Sequence, residues 1–375
     1  MKSEFLICLG TTGGHIFPGL AIANELQKKD RKILLVNAKV NNKNMPNINF
    51  DHQLELIDAK PFIGSSKSKK FKSIFYLIKS FFESLKIIKK YNPNILIGSG
   101  GFVWVPISLA GWIMRKKVYT LEGNLIPGLA NKIASKISTK IYTNFEGSKN
   151  YLPKNKCINY GYPVREKILK NLKRDIDILL VGGSQGAENL NLKFATQLEN
   201  LIVKLKNNNV KIVHQTGIND YKKILSFYTK LKKKYNNFNF VVEPFINDLY
   251  EYLGRTKILI SRGGASTISE SLLFNLNLIL VPLKNSANNH QYLNCVEMRN
   301  TELAEVWLEN EELHKLTDKI IFNLKNDSYD EIAIKKEKFF KRNSTKNIVN
   351  DILNNEKNYK NSFYWHWWYW NEFLS

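Results

Sequence analysis

Short apolar runs alternate with longer amphipathic segments along nearly the whole chain. The runs are rich in Ile, Leu and Val, which is typical of strands buried on both faces of a parallel sheet. The longer segments carry apolar residues at helical spacing. The pattern predicts an α/β protein with parallel sheets, and with strands at residues 4–9, 32–37, 94–98 and 117–121 in the first half and at 177–181, 210–214, 239–243, 257–261 and 278–281 in the second.

Each half of the chain opens with a strand, a glycine-rich turn and a helix, the first of these helices running from about Pro18 to Lys29. Two doubly wound, Rossmann-like domains in tandem explain the repetition, and a length of 375 residues suits two domains. We place the linker near Gly161-Tyr162-Pro163. Residues 1–162 form the expected first domain, 163–354 the second domain with a C-terminal helix, and 355–375 an aromatic tail without an assigned role.

The two glycine-rich turns, at residues 10–15 and 182–187, each connect a strand to a helix. Glycine lets a ligand reach bare N–H groups, and the following helix start adds partial positive charge, so both turns can bind an anion. Alternatively, the glycines of these turns serve only the close packing of the helix on the strand and bind no ligand. A nicotinamide site would require an acidic residue about 20 residues later, but the second strands end in Val36-Asn37-Ala38-Lys39 and Val213-His214-Gln215-Thr216.

A third strand–turn–helix motif spans residues 261–270. Ser266 and Thr267 can cap the helix, and Glu270 lies in its first turns. Glu270 can bind the ribose of a nucleotide whose phosphates meet the helix start, or it can only offset the helix dipole. Further on, Gln291 and Asn294 share a helix face, and their amides suit either sugar hydroxyls or a polar helix start.

Together these motifs resemble the bacterial glycosyltransferase family that adds N-acetylglucosamine to lipid I to make lipid II in peptidoglycan synthesis (the MurG family). The resemblance covers about residues 4–350, with all motifs in the family's order. The matching segments are residues 12–21, 98–101 with Pro106, Glu122, 124–132, 163–165, 182–187 and 244–294.

The resemblance implies a GT-B fold, in which two Rossmann-like domains face each other across a cleft. It implies that the second domain binds UDP-N-acetylglucosamine, that the first binds lipid I and the membrane, and that no cofactor is needed. The implied enzyme is an inverting hexosyltransferase that moves N-acetylglucosamine to the C4 hydroxyl of N-acetylmuramic acid in undecaprenyl-pyrophosphoryl-MurNAc-pentapeptide. This reaction serves cell-wall biogenesis, cell shape and cell division.

The resemblance also implies roles for single residues. Ser184 is expected at the donor diphosphate, and backbone groups near Ile246 at the uracil. Glu270 should bind the ribose, and Gln291 the N-acetylglucosamine hydroxyls. Arg165 should approach the donor from the linker. The stretch that should line the donor is Ala265, Ser266, Thr267, Ile268 and Ser269, and the residues that should close over the sugar or the acceptor diphosphate are Thr12, Gly13, Gly14 and Asn124.

The chain departs from the family pattern on the acceptor side. Leu121-Glu122-Gly123-Asn124 stands where the family has His-Glu-Gln-Asn, so Gly123 replaces a glutamine. Tyr162 stands where the family has the asparagine of Gly-Asn-Pro. Both differences bear on acceptor binding more than on donor binding.

Inversion at the anomeric carbon requires in-line attack by an acceptor hydroxyl, whose proton a general base must take. His15 is our candidate base, because an ordinary histidine is largely neutral at cellular pH and can accept a proton. Alternatively, His15 only orients an acceptor phosphate, and Glu122 is the rival base.

Two aspartates, Asp175 and Asp177, match the Asp-X-Asp pattern of many metal-dependent glycosyltransferases. They precede their strand, however, and so belong to the edge opposite the carboxyl ends where parallel sheets bind ligands. We therefore expect no metal site. The departing UDP would be stabilised by the helix start after Gly186 and by Arg165.

Basic residues exceed acidic ones, 56 to 33, which gives a net charge of +23 and favours an anionic partner. Part of this excess can reflect a chain-wide abundance of Lys, Asn and Ile. A basic, aromatic, amphipathic segment at residues 73–90 suits an anionic membrane surface, with Trp104 and Trp112 extending it. The alternative is a core-facing helix with solvated lysines. The lysines that precede this segment are Lys67, Lys69, Lys70 and Lys72.

No recognised nucleic-acid module accompanies the charge, so we expect no nucleic-acid partner. Cys8, Cys157 and Cys295 are far apart and lack metal-ligand spacing, which fits a reducing cytoplasm. No stretch approaches the roughly 20 apolar residues that span a bilayer. We expect a peripheral protein at the cytoplasmic face of the bacterial inner membrane. The aromatic run at 363–370 is either an interfacial anchor or an extension without a role.

Two other functions stay open at this point. A UDP-N-acetylglucosamine epimerase of the same fold would bind the nucleotide sugar without a lipid acceptor, and the basic aromatic helix speaks against it. A non-catalytic membrane scaffold would use that helix but would leave the cleft motifs unexplained.

Overall fold

The computed structural model describes residues 3–39, 52–60, 67–165, 172–183, 186–205, 209–284, 286, 289–326, 329–339 and 343–356. Ser184, expected at the donor diphosphate, and the aromatic tail lie outside the described residues, as do the side chains of residues 67–72.

The described part of the first domain contains a seven-stranded parallel sheet in the order β3-β2-β1-β4-β5-β6-β7. The chain order reverses at β1, and such a switch point opens a crevice at the carboxyl ends of the strands. The strands are β1 (Phe5–Cys8), β2 (Ile33–Ala38), β3 (Gln53–Ile57), β4 (Ile95–Gly98), β5 (Lys117–Glu122), β6 (Lys140–Thr143) and β7 (Cys157–Asn159), and the helices are α1 (Gly13–Gln27), α2 (Lys67–Tyr91), α3 (Trp104–Ile113) and α4 (Leu129–Ile137).

The second domain repeats this arrangement with six parallel strands among its described residues, in the order β10-β9-β8-β11-β12-β13. Its switch point is at β8. The strands are β8 (Ile176–Val181), β9 (Val210–Gln215), β10 (Phe238–Glu243), β11 (Thr256–Ser261), β12 (Asn277–Leu280) and β13 (Glu305–Val306). The helices are α5 (Glu188–Lys204), α6 (Tyr221–Lys234), α7 (Leu249–Arg255), α8 (Ala265–Ser271), α9 (His290–Asn300), α10 (Leu313–Lys325) and α11 (Tyr329–Phe339).

The prediction of two parallel α/β domains is confirmed, and all nine predicted strands are present within one residue at each end. Their apolar runs are continuous because helices cover both faces of each sheet, as in the fully buried β1 and β4. The strands that the pattern did not predict are β3, β6, β7 and β13. β3, β7 and β13 are outer strands and β6 has only four residues, so none of them requires a long apolar run.

Helix α1 begins earlier than predicted. We expected it to start near Pro18, but Gly13 already opens the helix, and Pro18 lies inside it. The residues of the glycine turn are therefore the first helical turn, which directs their N–H groups towards the carboxyl edge of the sheet.

The C-terminal helix α12 (residues 344–356) packs on the first domain, whereas we had assigned it to the second. Ile348, Val349 and Ile352 join the first-domain core. Asp351 accepts hydrogen bonds from Lys140 Nζ at 2.8 Å and Tyr142 Oη at 2.7 Å. An amphipathic helix must cover some apolar surface, but its sequence alone does not say which of the two sheets provides it.

First-domain loops also reach the second domain: Phe145 is buried in the second-domain core, and Leu125 packs against it. The two carboxyl edges therefore face each other across a cleft. Among the described residues, no helix is long and apolar enough to cross a bilayer.

Candidate active site

A cavity of about 930 Å³ lies in the cleft between the two domains. Its walls come from the turns after β1, β5, β8 and β11 and from the starts of α1, α5, α8 and α9. The structure brings together most of the predicted site residues, and those that line the cavity are Thr12, Gly13, Gly14, His15, Asn124, Arg165, Ile246, Ala265, Ser266, Thr267, Glu270 and Gln291.

Two predicted residues of the donor stretch have side chains elsewhere. Ile268 is fully buried in the second-domain core, one helical turn from the cavity wall. Ser269 is also buried, and its hydroxyl lies 3.3 Å from Asn144 Oδ1 of the first domain. Our expectation that the whole stretch lines the donor therefore fails for these two side chains, because a helix presents only one face to the cleft.

His15 is held in a defined orientation at the start of α1. Its Nδ1 lies 2.7 Å from the carbonyl oxygen of Ser99, and Ser99 Oγ donates to the His15 carbonyl at 2.7 Å. Because a carbonyl oxygen only accepts, Nδ1 carries the proton, and in the neutral ring Nε2 keeps its lone pair. Burial lowers the pKa of His15 below its ordinary value of 6.5, and a charge on His290 would lower it further. A neutral ring with a free basic nitrogen is what a general base requires.

Glu122 lies behind the cavity wall. One of its oxygens accepts from the Asn124 backbone N–H at 2.8 Å, and the other accepts from Asn131 Nδ2 at 2.8 Å. Burial raises the pKa of Glu122 to about 7, while these hydrogen bonds act in the opposite direction. The carboxylate therefore holds the loop that carries Asn124 in place.

The glycine turn after β8 packs against the Thr216 backbone, which is itself held by hydrogen bonds. Gly186 has φ +82°, and a side chain there would overlap the Thr216 backbone. Asn191 Nδ2 donates to the Thr216 carbonyl at 2.8 Å, and His214 Nε2 lies 3.0 Å from Asn191 Oδ1. This network fixes the turn at the start of α5, where backbone N–H groups can meet a diphosphate.

Glu270 lies at the cavity wall in a buried cluster with Arg165 and Tyr250. Burial raises the pKa of Glu270 to about 7, opposed by the positive charge of Arg165 and by the Tyr250 hydroxyl, which lies 3.3 Å from Oε1. The guanidinium of Arg165 stacks between two rings, with Cζ 4.6 Å from the Phe17 centroid and 5.3 Å from that of Tyr250. Its buried Nε has no hydrogen-bond partner among the described residues, so this donor can serve an anionic ligand.

At the proposed uracil position, a side chain already occupies the backbone donor. Gln215 Oε1 accepts from the Ile246 N–H at 2.9 Å, and Gln215 Nε2 donates to the Gly183 carbonyl at 2.9 Å. Gln215 thereby connects the backbone that is predicted to bind uracil to the glycine turn that is predicted to bind the diphosphate. The position of Gln215 at the end of β9 was the one sequence signal for this link.

The amide pair on α9 divides into two different roles. Gln291 lines the cavity, with Oε1 3.0 Å from the Leu283 backbone nitrogen. Asn294 is fully buried and connects the domains: its Nδ2 lies 3.1 Å from Asn124 Oδ1, and its Oδ1 accepts from the Leu125 N–H at 2.9 Å. Asn294 is therefore occupied by the protein and does not offer its amide to a sugar.

The Asp-X-Asp segment lies at the opposite edge of the second sheet, as predicted. Asp175 pairs with Arg255 at 2.7 Å and with Lys211, and Asp177 pairs with Lys257 at 2.8 Å. These carboxylates neutralise lysines and arginines at the amino ends of the strands. Among the described residues, no group of three His, Cys, Asp or Glu side chains could hold a metal ion.

Several residues at the cavity were missed from the sequence. Arg262 is buried beside it and pairs with Glu309 at 2.9 Å. His290 and Tyr162 also line it. Arg262 directly follows β11, and His290 is the first residue of α9, next to Gln291. These positions were the sequence signals for the two residues. For Tyr162 the signal was its position in the predicted linker.

Comparisons with known proteins agree with this geometry. Residues 5–143 match the model of the glycosyltransferase family 28 N-terminal domain, and residues 177–352 match that of the family 28 C-terminal domain. A UDP-N-acetylglucosamine–N-acetylmuramyl-(pentapeptide) pyrophosphoryl-undecaprenol N-acetylglucosamine transferase from Thermodesulfovibrio yellowstonii is 35% identical, with 82% of this chain and 85% of the relative covered.

Solved structures share the fold. MurG from Acinetobacter baumannii matches with a TM-score of 0.73 at 23% identity, covering 94% of this chain and 99% of that one. UDP-GlcNAc 2-epimerase from Neisseria meningitidis matches with a TM-score of 0.66 at 16% identity, covering 94% and 100%. The epimerase likeness extends to the fold alone, whereas the sequence relatives are transferases. With two GT-B domains, a shared cleft and this level of identity, the chain belongs to glycosyltransferase family 28, among the MurG transferases.

Proposed function

We propose that the protein transfers N-acetylglucosamine from UDP-N-acetylglucosamine to the C4 hydroxyl of the N-acetylmuramic acid of lipid I, forming lipid II. The observation that carries the proposal is the shared cavity. His15 and its glycine turn line it from the first domain, and the glycine turn after β8 and Glu270 line it from the second. An epimerase of the same fold would bind the nucleotide sugar but would need no lipid acceptor. The relatives named above act on this donor and acceptor.

The donor binds along the second domain in this proposal. Its diphosphate meets the N–H groups at the start of α5, and the Glu270 carboxylate accepts hydrogen bonds from the ribose hydroxyls. The uracil lies against Ile246, where Gln215 must shift if the Ile246 N–H is to serve the base. Gln291 faces the N-acetylglucosamine.

The acceptor hydroxyl attacks from the first domain. His15 Nε2 takes its proton as the bond to the anomeric carbon forms, and the bond from that carbon to the UDP oxygen breaks on the opposite side. The configuration therefore inverts. The leaving diphosphate is stabilised by the α5 start and by Arg165, without a metal ion. Glu122 acts as a support for the Asn124 loop rather than as the base, because both of its oxygens are engaged by that loop and Asn131.

Transfer can be measured directly with labelled UDP-N-acetylglucosamine and a lipid I analogue. We expect label in the disaccharide product, and we expect the activity to persist in excess EDTA, because the α5 start and Arg165 supply the positive charge. Free epimerised donor without product would contradict the proposed function. Loss of activity in EDTA that magnesium restores would contradict only the metal-free mechanism.

Replacing the general base should be costly. We expect His15→Ala to lower kcat by about 100-fold or more, the usual contribution of general-base catalysis. His314→Ala, at an exposed histidine on α10, is the matched control and should keep wild-type turnover. Near-wild-type turnover of His15→Ala would remove the assignment.

The pH dependence of kcat separates the two candidate bases. His15 works when neutral, and burial lowers its pKa below 6.5, so activity should be lost only as the pH falls below 6.5. If Glu122 were the base, the loss would centre near its pKa of about 7. A limb near pH 7 that persists in His15→Ala would therefore favour Glu122.

We also infer that the protein works as a peripheral enzyme at the cytoplasmic face of the membrane that holds its lipid acceptor. Helix α2 supports this inference because it packs on the first-domain core through Ile88 and Tyr91 but leaves large apolar side chains of its other face exposed. It buries Ser80 and Ser84 against the domain, with their hydroxyls bonded to backbone carbonyls, and it exposes 64% of Phe75 and 56% of Phe82.

Exposed apolar side chains also lie on α3, the helix beside α2. Trp112 and Ile113 at the end of α3, which packs beside α2, are each more than half exposed. Lys86 and Lys89 lie on α2 itself and can meet anionic headgroups, whereas Lys90 pairs with Glu55 at 2.9 Å. Trp104, which we expected on this surface, is instead fully buried, and its Nε1 donates to Thr120 Oγ1 at 3.1 Å. A contiguous apolar patch with a basic margin is typical of a membrane-contacting surface.

Vesicle binding tests this surface. We expect Phe75→Ser combined with Phe82→Ser to weaken cosedimentation with phosphatidylglycerol–phosphatidylethanolamine vesicles by about tenfold or more, because two large apolar groups no longer insert. Phe322→Ser, at an exposed phenylalanine of the second domain, is the control. Unchanged vesicle binding of the double variant would contradict the assignment, and transfer to a water-soluble acceptor analogue should be retained.

A further inference from the structure

Helix α1 contains an irregularity beside the catalytic turn. In a regular helix, the N–H of residue 18 would donate to the carbonyl of residue 14. Residue 18 is a proline, which has no N–H, and it lies inside α1. Pro18 therefore leaves the carbonyl of Gly14 without its helical partner, one residue before His15.

Two side chains from outside α1 donate to this carbonyl. Tyr162 Oη of the linker lies 3.1 Å from the Gly14 oxygen, and Ser266 Oγ of α8 lies 3.0 Å from it. A carbonyl oxygen has two lone pairs, so it can accept both hydrogen bonds at once. The first domain, the linker and the donor-binding helix thus meet at one backbone atom.

Tyr162 is fixed at both ends. Its backbone N–H donates to Asn144 Oδ1 at 3.2 Å, and its carbonyl accepts from Ser344 Oγ at 2.8 Å. The side chain is only 3% exposed. Burial raises the pKa of Tyr162, so the hydroxyl keeps its proton and remains a donor. Tyr162 is therefore held in place at the linker, and its hydroxyl contacts the Gly14 carbonyl.

The ring of Tyr162 occupies space that Gly123 leaves open. A Cβ atom at position 123 would lie 2.8 Å from Tyr162 Cζ and 2.9 Å from the Ala265 Cβ, both too close for a real side chain. Gly123 and Tyr162 are also two of the positions at which this chain departs from the family pattern on the acceptor side. The absence of a side chain at Gly123 therefore leaves the space that the Tyr162 ring fills.

We propose that Tyr162 is a positioning residue for glycosyl transfer, which, with Ser266, holds the Gly14 carbonyl freed by Pro18 and so fixes the His15 turn against α8. The proposal rests on the proposed transfer reaction. It concerns the distance between the base and the donor, because Gly14 adjoins His15 while Ser266 lines the donor side of the cavity. Loss of one hydrogen bond should loosen this alignment without removing a group that binds UDP.

The first test is Tyr162→Phe, which removes the hydroxyl and keeps the ring over Gly123. We expect kcat to fall by about fivefold, because one hydrogen bond that stabilises the transition state is lost. The KM for UDP-N-acetylglucosamine should change by less than about twofold. Tyr235→Phe removes a hydrogen bond to Glu199 far from the cleft and should leave kcat unchanged. Wild-type kcat in Tyr162→Phe would overturn the proposal.

The second test is a double-mutant cycle with Pro18→Ala, which restores the N–H that can bond Gly14 within α1. In that background we expect Tyr162→Phe to cost less than about twofold in kcat, because the carbonyl has regained a donor. An equal loss in both backgrounds would overturn the proposal, since the hydroxyl would then act on something other than the Gly14 carbonyl.

Two further measurements keep the outcome decisive. If Pro18→Ala does not fold, Tyr162→Phe combined with Ser266→Ala should lower kcat by more than the product of the single effects, and simple multiplication of those effects would overturn the proposal. The cycle is also read as shifts in Tm. Absence of transfer activity in the wild-type protein would contradict the proposed function. Additive Tm shifts of the single variants in the cycle would instead contradict the contact at the Gly14 carbonyl.

Discussion

The carboxyl edges of two parallel sheets face each other, and the whole site depends on this constraint. Every loop that follows a strand in such a sheet emerges at the same edge, and every helix that follows directs its N–H groups there. With one such edge from each domain, the cavity can be lined from both sides by backbone donors and by short polar side chains. In the proposed mechanism, much of the positive potential that meets the diphosphate comes from these backbone groups, and Arg165, which lies close to the rings of Phe17 and Tyr250, adds a side-chain cation.

The two buried carboxylates near this cleft show how similar electrostatics serve different purposes. Glu122 and Glu270 both have pKa values raised to about 7 by burial. The oxygens of Glu122 are occupied by donors of its own domain, so its charge orders a loop. Glu270 lies at the cavity wall with one hydroxyl contact and the nearby charge of Arg165, so it can exchange these neighbours for a ligand. The hydrogen-bond partners, more than the pKa values, distinguish Glu122 as a support from Glu270, the carboxylate that we propose binds the ribose.

Much of this arrangement follows from local sequence. Buried strands require continuous apolar runs, and glycine turns stand directly after them, so the sheets and the residues at their carboxyl ends could be predicted. Contacts that depend on how the domains meet could not. Asn294 looks like a sugar-binding amide next to Gln291, yet it joins Asn124, 170 positions away in the chain. The packing of α12 on the first domain and the two donors at the Gly14 carbonyl are likewise consequences of tertiary placement.

The net charge of +23 takes on a more specific meaning in this structure. At the amino ends of the second sheet, lysines and arginines are paired with Asp175 and Asp177. On α2 of the first domain, exposed lysines flank exposed aromatic residues. The proposed membrane surface therefore lies on the first domain, while the cavity is shared by both domains.

A crystal structure of the complex with UDP-N-acetylglucosamine tests the central claim most directly. The account predicts the diphosphate at the turn of residues 182–187, the ribose hydroxyls within hydrogen-bond distance of the Glu270 carboxylate, and the anomeric carbon facing His15 across the cleft. A nucleotide bound against the first domain, or a ribose away from Glu270 with the sugar directed out of the cleft, would contradict it.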